Sequence, residues 1–266
     1  MTAYPSVGRA VRAARFLVER TLILKQFGAG RLDSDLSLTC KEKDSEKLTD
    51  WLKTLGSGGK PDEYDAKALV RMYGIQVPEF RRVLSGQPFS MDGIEPPYVL
   101  KVCSSEILHK TELQGVMLNV DQSCVSDCFN QIRNRFPDTG ILIENQMSFT
   151  GPEFIIGIID DPAMGHAVMV GAGGTFTEIY KDTAFRLAPC TVEDALDMID
   201  ELVLAPVFDN FRGMDLDKEG LARTISRVSE LARDMGARLN QLDINPIVFS
   251  GREWVALDVK ALLNPG

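Results

Sequence analysis
The chain has 266 residues, 44% hydrophobic and 25% charged, with a formal net charge of −9 at pH 7. That length exceeds one small core, and the acidic balance argues against nucleic acid, whose phosphates need clustered Lys and Arg. No apolar run reaches the length of a membrane span, and MTAYPSVGRAVRAAR lacks the apolar core of a secretory signal. The expectation is a cytoplasmic protein, with Cys40, Cys103, Cys124, Cys128 and Cys190 as free thiols because they are odd in number and irregularly spaced.

Residues 7 to 20 place Val7, Ala10, Val11, Ala14, Leu17 and Val18 on one helical stripe. A polar connection follows from Gly28 to Lys60, with one short helix near Ser45 to Leu55 and a GSGGK hinge. Residues 1–60 are therefore expected to be a helical extension and linker. PDEYDAKALVRMYG opens the compact region as a helix that stops at Gly74. Extended IQVPEF, the Pro96–Pro97 turn and a strand from Tyr98 to Val102 come next. The pattern then predicts a helix over 123–135 and strands over 141–145, 153–160 and 166–172. Thr191 with Asp194 forms a capping box before an amphipathic helix, and a second helix carries Leu221, Ile225, Val228, Leu231 and Met235 up to Gly236. Two strands close the chain around Ser250–Gly251–Arg252–Glu253. The order is mixed α and β without regular alternation, and neither a Walker A motif nor G-x-G-x-x-G occurs.

Three stretches carry candidate chemistry. In YVLKVCSSEILHKTELQGV a β-prone run delivers Lys101, and His109 follows in a charged connection beside Lys110. A strand-borne lysine can hold a phosphate and a neutral imidazole is a competent nucleophile, though most lone histidines are merely surface or core residues. His166, beside an apolar strand, reads as structural. In VGAGGTFTEIYKDTAFRLAP, Gly171, Gly173 and Gly174 let backbone approach a phosphate or turn tightly. Glu178, Asp182 and Arg186 recur every four residues and on a helix would form one charged face. A type II′ turn at Gly251–Arg252 would set Asn245 opposite Asp258, with Asp243 on the same sheet face and opposite Lys260. Such oxygens suit Mg²⁺, and a solvated hairpin face is the alternative.

LKVCSSEILHKTELQGV resembles the phosphohistidine signature of NDP-forming acyl-CoA synthetases, a group that includes ADP-forming acetyl-CoA synthetase, in its ATP-grasp or β component. GPEFIIGIIDDPAMGHAVMVGAGGTFTEIYKDTAFRLAP and LDINPIVFSGREWVALDVK are similar to that family's central and closing blocks. The resemblance implies an α+β ATP-grasp fold, two lobes with the nucleotide between them, here over 61–140 and 141–266. It implies the reaction acyl-CoA + ADP + Pi = acid + CoA + ATP, with this chain relaying phosphoryl between a phosphohistidine and Mg-ADP. On that basis His109 is the phosphohistidine and Asp243 helps orient it or its metal-bound acceptor, while Lys101, Glu144, Met147, Gly173, Gly174 and Glu178 meet the nucleotide. Asn245 and Asp258 hold Mg²⁺, and a separate CoA-binding α subunit completes the enzyme. A stand-alone carboxylate ligase that does not need His109, or a non-catalytic nucleotide-sensing subunit, are the competing readings. The sequence departs from the family at Ser105, usually proline, and at Gln114, usually the first of two glycines.

Overall fold
The structure, a computed structural model, describes residues 42–55, 59–91, 93–107, 110–174 and 182–264. The helix expected at 7–20 and the connection up to residue 41 lie outside them. The chain divides between Glu46 and Lys47, and the first unit contributes to the described residues only the opening of helix α1 (Glu42–Thr54). Everything below concerns the second unit. α1 sinks Leu48 and Trp51 into a hydrophobic core, and the Trp51 indole donates to the Asp65 carbonyl at 3.0 Å. The compact region expected from Pro61 therefore begins at Lys47: two apolar residues on one face suffice to dock a helix whose other faces are polar.

Helix α2 (Glu63–Met72) starts at Asp62, whose carboxylate accepts from the Asp65 N–H while Asp65 returns a bond to the Asp62 N–H. It ends where Gly74 takes a φ of +72°, a conformation glycine adopts freely. Four antiparallel strands, β1 (Phe80–Val83), β2 (Tyr98–Cys103), β3 (Val116–Val120) and β4 (Gly140–Asn145), form a small sheet in the order β1-β4-β2-β3. Helix α3 (Val125–Arg135) covers it with Val125, Phe129 and Ile132.

The larger sheet contains β5 (Thr150–Asp161), β6 (Gly165–Ala172), β7 (Thr183–Leu187), β8 (Leu239–Ser250), β9 (Glu253–Ala256) and β10 (Val259–Leu263). Its order is β10-β8-β5-β6-β7, with β9 also pairing β8. Alternate residues such as Ile156, Ile158, Val168, Val170, Leu242 and Ile244 point to one face, where α4 (Val192–Asp200) and α5 (Lys218–Met235) cover them. Lys260 lies opposite Asp243 and Glu253 opposite Ser250, and the Asn245 N–H donates to the Asp258 carbonyl at 3.1 Å. This is the register expected from a turn at Gly251–Arg252, where Gly251 has a φ of +65°. The closing strand is not continuous. Pro246 offers no N–H, and the chain opposite leaves the ladder at Leu257–Asp258, separating β9 from β10.

Three expectations differ from the structure. β4 sits between β1 and β2, so the division expected at 140/141 falls inside a strand of the smaller sheet. α2, expected with the first lobe, packs Ala66, Leu69 and Val70 into the larger core. Apolar periodicity marks which face is buried but not against which sheet. The charged helical face expected of Glu178, Asp182 and Arg186 does not form at its described end, since Thr183–Leu187 is strand β7. Asp182 instead accepts the N–H groups of Val203 and Leu204 at 2.8 and 3.0 Å, and Arg186 pairs with Glu201 at 2.7 Å. Among the described residues no helix is long and apolar enough to cross a membrane.

Phe154 on β5 is fully buried, with ring centroids 5.4 Å from Trp254 and 5.6 Å from Phe208. Phe154→Ala is expected to lower stability by about 3–5 kcal/mol in urea unfolding, while the exposed Val203→Ala changes it by less than about 0.5 kcal/mol.

Candidate functional site
Between the two sheets lies a group of buried ions. Glu63, in the first turn of α2, has a side chain without solvent exposure. Its Oε1 accepts from Lys101 Nζ at 2.7 Å and lies 3.0 Å from Lys67 Nζ, and its Oε2 accepts from Lys110 Nζ at 2.5 Å. Glu144 on β4 joins the same group, bonded to Lys67 and 3.0 Å from Lys101. Lys101 gives a further bond to the Leu257 carbonyl at 2.8 Å. Burial would raise the Glu63 carboxyl, but Lys101, Lys67 and Lys110 together hold it far below the usual carboxylate range. Burial likewise pulls Lys101 and Lys110 down, and the facing carboxylates more than reverse it, so both stay above the ordinary lysine range.

Beside these ions opens a cavity of about 600 Å³, within the roughly 300–1,000 Å³ usual for small-molecule sites. One part of its wall is apolar, built from Pro78, Val99, Val116, Leu118, Met147 and Phe149. The rest is polar, with Lys101, Lys110, Glu144, Glu153, Asp258 and Lys260. Two wall residues, Asn145 and Asp258, each bury an Oδ1 that accepts no hydrogen bond. Buried acceptors almost always have partners, so these two mark where a ligand's donors or a cation belong. Burial first, and then the charge of Glu63, push the Asp258 carboxyl upward against the pull of Lys101 and Lys110. A carboxylate oxygen so placed fits a hard cation. Among the described residues no three His, Cys, Asp or Glu converge as a closed metal cluster. Mg²⁺ needs no such cage, because it keeps waters and phosphate oxygens as ligands.

Of the residues singled out from sequence, Lys101, Glu144, Met147 and Asp258 meet on this wall. Asn245 is tied to Asp258 through its backbone, and its Oδ1 accepts from the Gly174 N–H at 3.3 Å. Gly173 and Gly174 lie against β5: the Gly173 N–H donates to the Glu153 carbonyl at 2.8 Å, and a Cβ on Gly173 would come within 2.6 Å of the Phe154 backbone. Asp243 faces a second, smaller cavity of about 110 Å³ shared with Ser104, Ser105, Lys110 and Lys260. Burial raises its carboxyl while Lys260 opposes the rise. His109 and Glu178 lie outside the described residues. His166 is structural, its Nε2 2.8 Å from the Leu239 carbonyl.

Sequence reading missed Glu63, Lys67 and Asn145. The signal for the first two was available: both fall on the helix face that also carries Ala66 and Val70, where a solvated ion pair does not belong. Nothing comparable marks Asn145, whose meaning depends on the cavity beside it.

Gln114 takes a φ of +55°, the left-handed conformation that a glycine would adopt without strain. Its Oε1 accepts from Arg135 Nη1 at 2.5 Å, and Gly115 closes the turn with an N–H bond to the Lys110 carbonyl at 2.7 Å. Gln114→Gly is expected to shift stability by less than about 1 kcal/mol, because relief of left-handed strain offsets the lost exposed hydrogen bond. Thermal unfolding measures it. A second expectation concerns acid. Glu63 has a lowered folded pKa, so its stabilisation is complete above 4.5, its ordinary value, and is lost as pH falls below that. Glu63→Gln is expected to be about 3–5 kcal/mol less stable near neutrality, and the gap to wild type should narrow in denaturant titrations below pH 4.5.

The ATP-grasp domain family matches residues 57–263. The beta subunit of acetate–CoA ligase [ADP-forming] I from Pyrococcus furiosus is 38% identical over 213 residues, 76% of this chain and 90% of that protein. Acetate–CoA ligase [ADP-forming] I from Archaeoglobus fulgidus is 29% identical over 266 residues, 96% of this chain but 38% of its own length. A solved structure of the dinucleotide-forming acetyl-coenzyme A synthetase 1 of Ca. Korarchaeum cryptofilum superposes with a TM-score of 0.68 at 28% identity, covering 81% of this chain and 99% of that one. That structure holds coenzyme A and Mg-AMPPCP, with its phosphohistidine segment pointing towards the nucleotide binding site.

Proposed function
The chain belongs to the ATP-grasp family, among the beta components of NDP-forming acyl-CoA synthetases, and from that premise we propose that it is the nucleotide-binding subunit of a cytoplasmic, heteromeric ADP-forming acyl-CoA synthetase. The overall reaction is acyl-CoA + ADP + Pi = acid + CoA + ATP, and this chain passes phosphoryl between a histidine and Mg-ADP. The observation that carries the reading is the cavity between the sheets: apolar at one part, and at the other lined by two buried lysines and an unpartnered carboxylate.

The apolar wall with Met147 and Phe149 suits a nucleobase, and Lys101 and Lys110 suit the phosphates. His109 directly precedes Lys110, which lines the polar part of the cavity, and is the nucleophile of this reading. In the forward direction the N–P bond of phosphorylated His109 breaks as an oxygen of the ADP β-phosphate bonds to the same phosphorus; with the other ring nitrogen protonated, the imidazole leaves neutral. Lys101 and Lys110 offset negative charge on the transferring group, and positioning with electrostatics supplies most of the acceleration in such transfers. Asp258 and Asn245 would hold Mg²⁺, which would neutralise phosphate charge when bound. Asp243, set in the adjoining cavity behind Lys110, keeps the histidine oriented. The acyl-CoA chemistry belongs to a separate α subunit, a reading supported by the 38% identity to a protein that is itself a beta subunit.

The test uses the chain with its co-purified partner, Mg²⁺, phosphate, ADP and a panel of acyl-CoAs. His109→Ala is expected to lose at least about a thousandfold in ATP formation while still binding Mg-ADP. Asp258→Asn is expected to weaken Mg-ADP binding by about tenfold or more in calorimetry. ATP formation by His109→Ala at the wild-type rate would show that the relay does not run through this residue.

A further inference from the structure
The phosphate-facing lysines share a partner that has no part in the scheme above. Glu63 is buried and lines the smaller cavity, not the larger one assigned to the nucleotide. Three ammonium groups close on its carboxylate from three places: Lys67 from its own helix, Lys101 from β2, and Lys110 from the turn before β3. Lys67 has no solvent exposure and does not line the cavity. Lys101 donates to Glu63 and the Leu257 carbonyl and lies 3.0 Å from Glu144. Lys110 is held by Glu63 Oε2.

Like charges this close repel in a poorly screened interior, and Lys101 already acts unfavourably on Lys110. The carboxylate between them is what allows both ammonium groups to face one site. We propose that Glu63 is a positioning residue for phosphate recognition: from behind, it holds Lys101 and Lys110 together where a nucleoside diphosphate presents its phosphates. This rests on the nucleotide reading of the cavity. A carboxylate that merely tied α2 to the small sheet would make the same contacts, so the test must separate aiming of the lysines from general support of the fold.

Calorimetry of the full chain with Mg²⁺ compares ADP with adenosine, which shares the base and ribose but lacks phosphate. Glu63→Gln, which keeps the shape and removes the charge, is expected to reduce the ADP-over-adenosine affinity ratio at least about tenfold while leaving adenosine binding within about threefold. Glu63→Asp keeps the charge and should restore part of the ratio. Lys67→Met removes a lysine that faces no ligand and should keep the wild-type ratio. Because Glu63→Gln leaves an excess buried cation that can prevent folding, the pair Glu63→Gln/Lys67→Met removes one charge of each sign. The same selective loss is expected there. Equal loss of ADP and adenosine affinity, or an unchanged ratio, in whichever of Glu63→Gln and Glu63→Gln/Lys67→Met folds would overturn the proposal. A wild-type chain that binds ADP no better than adenosine would overturn the nucleotide reading itself, and this inference with it.

Discussion
One carboxylate surrounded by three ammonium groups is the constraint on which the site depends. Removing charges from water is expensive, and an interior tolerates them only when each is paired and hydrogen-bonded. Glu63 and Glu144 satisfy that condition for Lys67, Lys101 and Lys110, and the pairs join α2, β2, β4 and the turn before β3. The Leu257 carbonyl adds the link between β9 and β10. Both sheets are thus tied at one buried point, and the cavity opens next to it. A hydrophobic cluster of the same volume could hold the sheets together as well, but it could not present two cations to phosphates.

The second constraint is the register of β8. Antiparallel pairing on both sides of Leu257–Asp258 fixes that link against Asn245–Pro246, so the Asp258 carboxylate is delivered to the cavity by backbone geometry. Its unpartnered oxygen and raised pKa belong together: burial without a donor leaves the carboxylate unsatisfied. Pro246, which offers no N–H, marks the break between β9 and β10, and the backbone bonds Asn245 N–H to Asp258 and Leu257 N–H to Pro246 still hold that link in register.

Much of this was legible in the sequence because it depends on local rules. The Gly251–Arg252 turn sets the register, which in turn sets Asn245 beside Asp258, and each step needs only the period of a strand. The Thr191–Asp194 capping box and the Gly236 stop are equally local. Contacts between distant segments were not legible. That Lys101 would grip Glu63, thirty-eight positions away, follows from packing α2 against the large sheet rather than the small one. The same long-range choice put β4 in the smaller sheet. Gln114 shows a third kind of outcome. It takes the left-handed backbone that a glycine would adopt without strain, and its side chain gains a bond to Arg135.

The central claim is that this chain itself carries phosphoryl on His109. The direct measurement is incubation of the chain alone with Mg²⁺ and γ-labelled ATP, followed by mass spectrometry of the peptide spanning residues 102–133. The account predicts label that is stable to alkali, released by acid and discharged by added ADP, located on His109. Label on another residue, or ATP bound without any labelled histidine, would contradict it.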